Sequence, residues 1–166
     1  MVRFQAKDIQ RIVQIPKHRY EYIASKIGIK PDVEEVEGQG HVHIYSFKNL
    51  LQFAFAHHAG ILGLTPKASR GLLSYLDEVD NAPVNFGIYD SDMFEDISIH
   101  YVIDIQSKNF CATYTAGSQE GRIILEKTDR GFLIPGQKAS FLYETVGFIT
   151  INVRSLKKKI VANIDQ

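Results

Sequence analysis

Glu37-Gly38-Gln39-Gly40-His41-Val42-His43-Ile44-Tyr45-Ser46-Phe47-Lys48-Asn49-Leu50 is the stretch on which the reading of the chain turns. Its glycines supply the loop of a hairpin, since both accept the backbone conformations a tight turn demands. Past the loop, His41, His43 and Tyr45 fall on one face of a strand and Val42 and Ile44 on the other, because strand side chains alternate. Ser46 then caps a helix expected to run to about Gly60, with Leu50, Leu51, Ala54 and Phe55 as its buried stripe. A short ribbon with one apolar face leads directly into an amphipathic helix.

Upstream, Ile9, Ile12 and Val13 share one face of a first helix. Ile15-Pro16 starts a second, with proline at a first-turn position where its missing N–H costs nothing, and this helix is expected to reach about Ser25. Two short helices around a tight turn bury little surface alone, so later helices must cover them. Thr65-Pro66 begins the fourth, carrying Ala68, Leu72, Leu73 and Leu76. The polar stretch from Asp77 to Pro83 marks the expected domain boundary, with residues 1–79 before it and 84–166 after it. From Val84 onward strand signals dominate: Ile97 to Asp104, Asn109 to Thr115, Arg122 to Lys127, Ser140 to Tyr143 and Phe148 to Asn152. A closing helix carries Leu156, Ile160 and Ile164, with Lys157-Lys158-Lys159 expected toward solvent. The fold class is α+β, a helical first half with a two-stranded wing followed by a β-rich antiparallel half with a C-terminal helix.

The order helix, turn, helix, ribbon, helix, helix resembles the winged helix-turn-helix DNA-binding domain of the MerR family of transcription regulators, over about residues 4 to 76. Ile15-Pro16-Lys17-His18-Arg19-Tyr20-Glu21-Tyr22 looks like that family's recognition helix. The stretch from Glu37 to Leu50 looks like its wing running into the third helix. Three features depart from the pattern: Gln14 stands where the turn often has glycine, Pro16 where serine or threonine often caps the helix, and Glu21-Tyr22-Ile23 where Arg-Tyr-Tyr is frequent. The DNA sequence read is therefore not carried over. The long coiled coil through which family members usually dimerise is also missing, because Leu76 to Pro83 is too short and polar for sustained heptads.

The resemblance implies double-stranded DNA as partner, and side-chain chemistry adds the roles. Exposed residues in the first turns of a helix laid in the major groove are those able to reach DNA, here Lys17, His18, Arg19 and Tyr22. Arg19 suits a bidentate contact to guanine, while Lys17 and Lys26 suit phosphate. His41, His43 and Tyr45 of the ribbon would extend to neighbouring backbone or minor groove, and Lys48 would meet phosphate at the start of the next helix. Against this, Glu34, Glu35 and Glu37 would repel phosphates if they faced them.

Composition bounds the alternatives. The 166 residues carry no net charge, yet residues 1–70 hold ten Lys plus Arg against six Asp plus Glu, and residues 71–166 hold nine against thirteen. The basic half is the better polyanion binder, although so small an excess carries no argument by itself. The chain starts without a secretory signal and its single Cys111 makes no internal disulfide, so a cytoplasmic protein is expected. The histidines lack the partners that complete a zinc site, and the acidic group Asp90, Asp92, Glu95 and Asp96 lacks calcium-loop spacing. None of the usual nucleotide, esterase or metalloprotease motifs occurs, so no enzyme, metal or cofactor is expected. The expected function is sequence-specific regulation of transcription by a homodimer, with the second half supplying dimer contacts, sensing of an unidentified effector, or both. A protein-interaction module on the same scaffold, or a ligand sensor in the second half, is the rival reading.

Overall fold

The computed structural model describes residues 3–33, 42–81, 86–104, 109–116, 119–124 and 148–164. The fold is mixed helix and antiparallel sheet, as expected for α+β. In chain order it comprises α1 (Ala6–Val13), α2 (Lys17–Tyr22) continuing into a π-helical turn (Ile23–Ile27), α3 (Phe47–Ile61) and α4 (Pro66–Asp80). After these come β1 (Ile97–Asp104), β2 (Asn109–Ala116), β3 (Gln119–Ile124), β4 (Phe148–Asn152) and α5 (Val153–Ile164). Glu34, Glu35, Glu37 and the expected wing loop Gly38-Gln39-Gly40-His41 lie outside the described residues, as does the strand expected at 140–143.

The chain divides into two compact units, Met1–Arg70 with Tyr89–Asp92 and Ser155–Gln166, and Gly71–Ile88 with Met93–Arg154. The sequence suggests one cut at 79 to 84. The division instead falls inside α4, and the C-terminal segment returns to the first unit. Hydrogen bonds account for that return: Arg11 Nη1 donates to the Asn163 carbonyl at 3.0 Å, and Asn163 Nδ2 donates to the Ile12 carbonyl at 2.8 Å. The exposed end of α1 thereby gains side-chain and backbone partners for groups its own helix leaves open.

In the first unit, α1 and α2 meet at a turn centred on Gln14, whose φ of 59° and ψ of 45° are left-handed. This is the position where the sequence lacks glycine, and the conformation costs a residue with a Cβ about 1–2 kcal/mol. The turn holds because the Gln14 N–H donates to Arg11 O at 3.3 Å and the Ile15 N–H to Gln10 O at 3.0 Å. Pro16 follows with φ −69°, its natural value, and starts α2. The π-helical turn ends at Gly28, where φ of 84° requires glycine. Arg70, at the first turns of α4, donates from Nε to Ile27 O and from Nη2 to Lys26 O, occupying carbonyls the helix end leaves unsatisfied.

The core of this unit is laid down by Ile9, Ile12, Ile23, Leu50, Leu51 and Phe53, each fully or almost fully buried. Phe4 and Tyr45 form an isolated antiparallel bridge with reciprocal N–H to C=O bonds of 2.9 Å. Two sequence expectations are corrected here. Tyr45 is buried at 2% exposure, whereas Val42, expected on the apolar face, is 49% exposed. The reason is that the bridge to Phe4 turns the Tyr45 ring inward, onto Phe53 at 5.9 Å and Tyr20 at 6.5 Å.

The second unit is built on a four-stranded antiparallel sheet in the order β3-β2-β1-β4. Register is set by pairs such as Ile99 with Tyr114 and Ile151. Ile97, Ile99, Tyr101, Tyr114 and Ile151 are buried on one face. Ser98, His100 and Thr150 alternate with them and are more accessible, the pattern of an antiparallel sheet with one covered face. Tyr114 gathers aromatic neighbours from outside the sheet, Tyr75 of α4 at 6.4 Å and Phe86 at 5.3 Å. On α5, Lys158 and Lys159 are exposed as expected but Lys157 is buried at 2%, because 3.6-residue spacing sets it on the face of Val153, Leu156 and Ile160.

Candidate nucleic-acid interface

Helix α2 has two unlike faces. Tyr20 and Ile23 turn inward: the Tyr20 ring stacks on Phe53 at 5.1 Å and its hydroxyl lies 2.6 Å from that of Tyr45. Buried phenols need such a partner, and here each supplies the other's. The opposite face carries Lys17, His18, Glu21, Tyr22 and Ser25, all exposed. An inner face fixed by three aromatic rings leaves the outer side chains on a rigid backbone while they remain bare to solvent.

Of the residues expected to contact DNA, Lys17, His18 and Tyr22 share this outer face, and Lys26 is exposed one turn further on. Glu21 is a member the sequence reading left out, although its i,i+4 spacing from Lys17 would have placed it there. Lys17 Nζ lies 3.7 Å from Glu21 Oε1, with the side chains 79% and 59% exposed. So exposed a pair is weak in water and leaves the ammonium able to exchange partners.

Arg19 is half-buried at the side of the helix rather than on its outer face. Its guanidinium carbon sits 5.3 Å from the Tyr22 ring centre, a cation–π arrangement. On its other side the group lies against the backbone of α3 at Gly60, where a Cβ would collide with Nη2. A side chain at position 60 would therefore displace the flexible end of Arg19. Nearby, the His57 pKa is lowered below its ordinary 6.5 by burial first, then by His58, then by Arg19, which keeps the imidazole neutral near pH 7. His57 Nδ1 is buried without a hydrogen-bond partner among the described residues, whereas Nδ1 of His58 lies 2.9 Å from the Ala54 carbonyl.

The remaining expected contacts separate. His43 is exposed beside Tyr45, at 6.5 Å between rings, and stays available. Tyr45 is removed from the contact set, because a buried ring bonded to Tyr20 reaches no ligand. Lys48 is half-buried and its Nζ lies 4.7 Å from the Tyr89 ring centre, so its charge is directed toward that ring. His41 lies outside the described residues.

The root of the expected wing is held by a polar network that the sequence does not announce. Buried Asn49 donates from Nδ2 to the Lys30 carbonyl at 3.0 Å, and its Oδ1 accepts the N–H groups of Asp32 and Ser46 at 3.2 and 3.4 Å. Asp32 in turn accepts the Ser46 N–H at 3.0 Å and its hydroxyl at 2.5 Å. Lys30 and Asp32 are thereby joined to Ser46 and the first turn of α3.

These features define a two-unit α+β protein whose helical unit offers one short, rigidly backed helix face to solvent. Among the described residues no three His, Cys, Asp or Glu side chains are grouped to hold a metal, and no helix is long and apolar enough to cross a membrane. The chain matches no model of a known protein family and no curated protein sequence.

Proposed function

We propose that the chain is a sequence-specific double-stranded DNA-binding regulator of transcription that presents α2 to the major groove. The observation that carries this reading is the outer face of α2: Lys17, His18 and Tyr22 are exposed together on a helix whose other side is fixed by Phe53 and Tyr45. A donor-rich, pre-positioned helix face suits reading base edges, and Glu21 adds an acceptor for a cytosine amine. Arg19 rests against Gly60 and Tyr22, from which it can swing to a guanine. His43 and Lys26 supply flanking contacts to backbone. One such helix reads only a few base pairs, so a cytoplasmic homodimer presenting two is the assembly proposed.

The test is selection from random duplexes with the full chain, followed by anisotropy titrations at several salt concentrations. Affinity is expected to fall steeply as salt rises, and Lys17→Ala to flatten that dependence by about one unit of log–log slope. Arg19→Ala is expected to weaken the selected duplex by about 1–3 kcal/mol and to relax one base preference. An unenriched pool, or affinity indifferent to salt, overturns the reading. A protein-docking role for this scaffold draws support from Ile61 and Leu62, which are 65% and 48% exposed at the end of α3. Salt-insensitive capture of a protein partner would favour it.

A further inference from the structure

Within the first unit a cavity of about 640 Å³ opens beside the root of the expected wing. Its volume falls in the range of small-molecule sites. Phe4, Phe47, Val161 and Ile164 give it apolar walls, drawn from the start of the chain, the first turn of α3 and the end of α5. Tyr89 adds an aromatic ring, over which the Lys48 ammonium already sits at 4.7 Å.

The polar lining is unbalanced. Asp32, Asp90 and Asp92 bring three carboxylates against the single ammonium of Lys48. Asp90 Oδ1 accepts the Asp92 N–H at 2.8 Å, and Asp92 Oδ1 is bonded to the Ser91 hydroxyl at 3.3 Å. Among the described residues the second oxygens of Asp90 and Asp92 have no hydrogen-bond partner. Apolar and aromatic walls would accept a hydrophobic body, and unneutralised carboxylates beside them would accept a positive head.

We propose that this cavity binds a small organic cation, an amine carried on an aromatic or aliphatic body, with the head beside Asp90 and Asp92 and the body against Phe4, Phe47 and Ile164. Asp32 gives the site a second role. The same carboxylate lines the cavity and holds the N–H and hydroxyl of Ser46, so a ligand seated beside it borders the contact that joins Asp32 to the start of α3. In that respect the inference rests on the DNA-binding reading: occupancy alters the Asp32–Ser46 contact and, with it, affinity for the duplex.

Three probes with one body and different heads test the site on the full chain: 3-phenylpropylamine, 3-phenylpropanol and 3-phenylpropanoate, titrated by calorimetry and by chemical shift. The amine is expected to bind best and the carboxylate worst. Asp90→Asn with Asp92→Asn should weaken the amine about tenfold while barely moving the alcohol, and Ile164→Glu should exclude the alcohol. Both changes lie at the surface, and an unchanged melting temperature checks that the fold survives. Equal binding of amine and carboxylate, amine binding indifferent to the double asparagine variant, or no binding of any probe to about 10 mM overturns the assignment. Duplex titrations with and without the amine separate the two readings. Amine binding by a chain that binds no duplex sinks the DNA reading alone, whereas duplex binding with no amine binding sinks the cavity alone.

Discussion

The two units hold their backbones by different means. In the second, four strands exchange hydrogen bonds along β3-β2-β1-β4, so the backbone itself fixes register and the side chains need only alternate between a buried and an open face. The first unit has one isolated bridge among its described residues and relies on side chains for the rest: Tyr20 on Tyr45 and Phe53, Asn49 on Lys30, Asp32 on Ser46, Asn163 on Ile12. Short helices leave many backbone groups unsatisfied at their ends, and only specific polar side chains or neighbouring carbonyls fill them. The helical unit is consequently the one in which single substitutions should matter most.

Phe53→Ala should show this most strongly. The ring is fully buried, stacked on Tyr20 and set edge-on to Tyr45, and its loss is expected to cost about 3–5 kcal/mol, read from the urea midpoint of the full chain. A loss below about 1 kcal/mol would break the comparison, because the aromatic backing of α2 would then be dispensable. Asn49→Ala should follow at about 1–3 kcal/mol, since it takes the Asn49 partner from the Asp32 N–H and the Lys30 carbonyl together.

Acidification should act on the helical unit next, and more weakly. His57 has a folded-state pKa below 6.5, so the unfolded chain binds the proton first. Its contribution to stability is complete above pH 6.5 and is lost as pH falls from there toward the lowered value. The urea midpoint is expected to drop between pH 7.5 and 5.5, and the drop to shrink in His57→Gln. An identical drop in both proteins would assign the pH dependence to other groups. The smallest effect is expected in the sheet. The hydroxyl of Thr150 lies 2.8 Å from His100 Nδ1 on the accessible face, and Thr150→Val should change stability by less than about 0.5 kcal/mol. A loss comparable to that of Asn49→Ala would show that side-chain clamps govern both units alike.

The division into units also bears on how the protein is dissected. A fragment ending near residue 80 discards 155–166, and with them both hydrogen bonds between Asn163 and the end of α1. The intact chain is the proper object for measuring DNA binding and self-association, the latter by light scattering.

Period and punctuation were enough to specify most of the elements. Alternation in Ile97 to Asp104 and Phe148 to Asn152 predicts β1 and β4 at their observed limits, and Pro16, Ser46 and Pro66 mark the beginnings of three helices. The outer face of α2 was also legible, as Lys17, His18 and Tyr22, because helical spacing is a local property of the chain. What the sequence left open is whatever depends on partners far along it. Tyr45 follows strand alternation onto the side of His43, and only the Phe4 bridge and the Phe53 ring show that Tyr45 is turned inward while His43 stays exposed. Arg19 reads as a free cation until Gly60, forty-one residues later, is seen to leave room for it. Lys157 belongs to an apparently solvated run, yet its position on α5 buries it. Local spacing sets the direction of a side chain from its own helix or strand, whereas burial, hydrogen-bond partners and cavities arise between segments that meet only in the folded chain, and these tertiary structure alone decided.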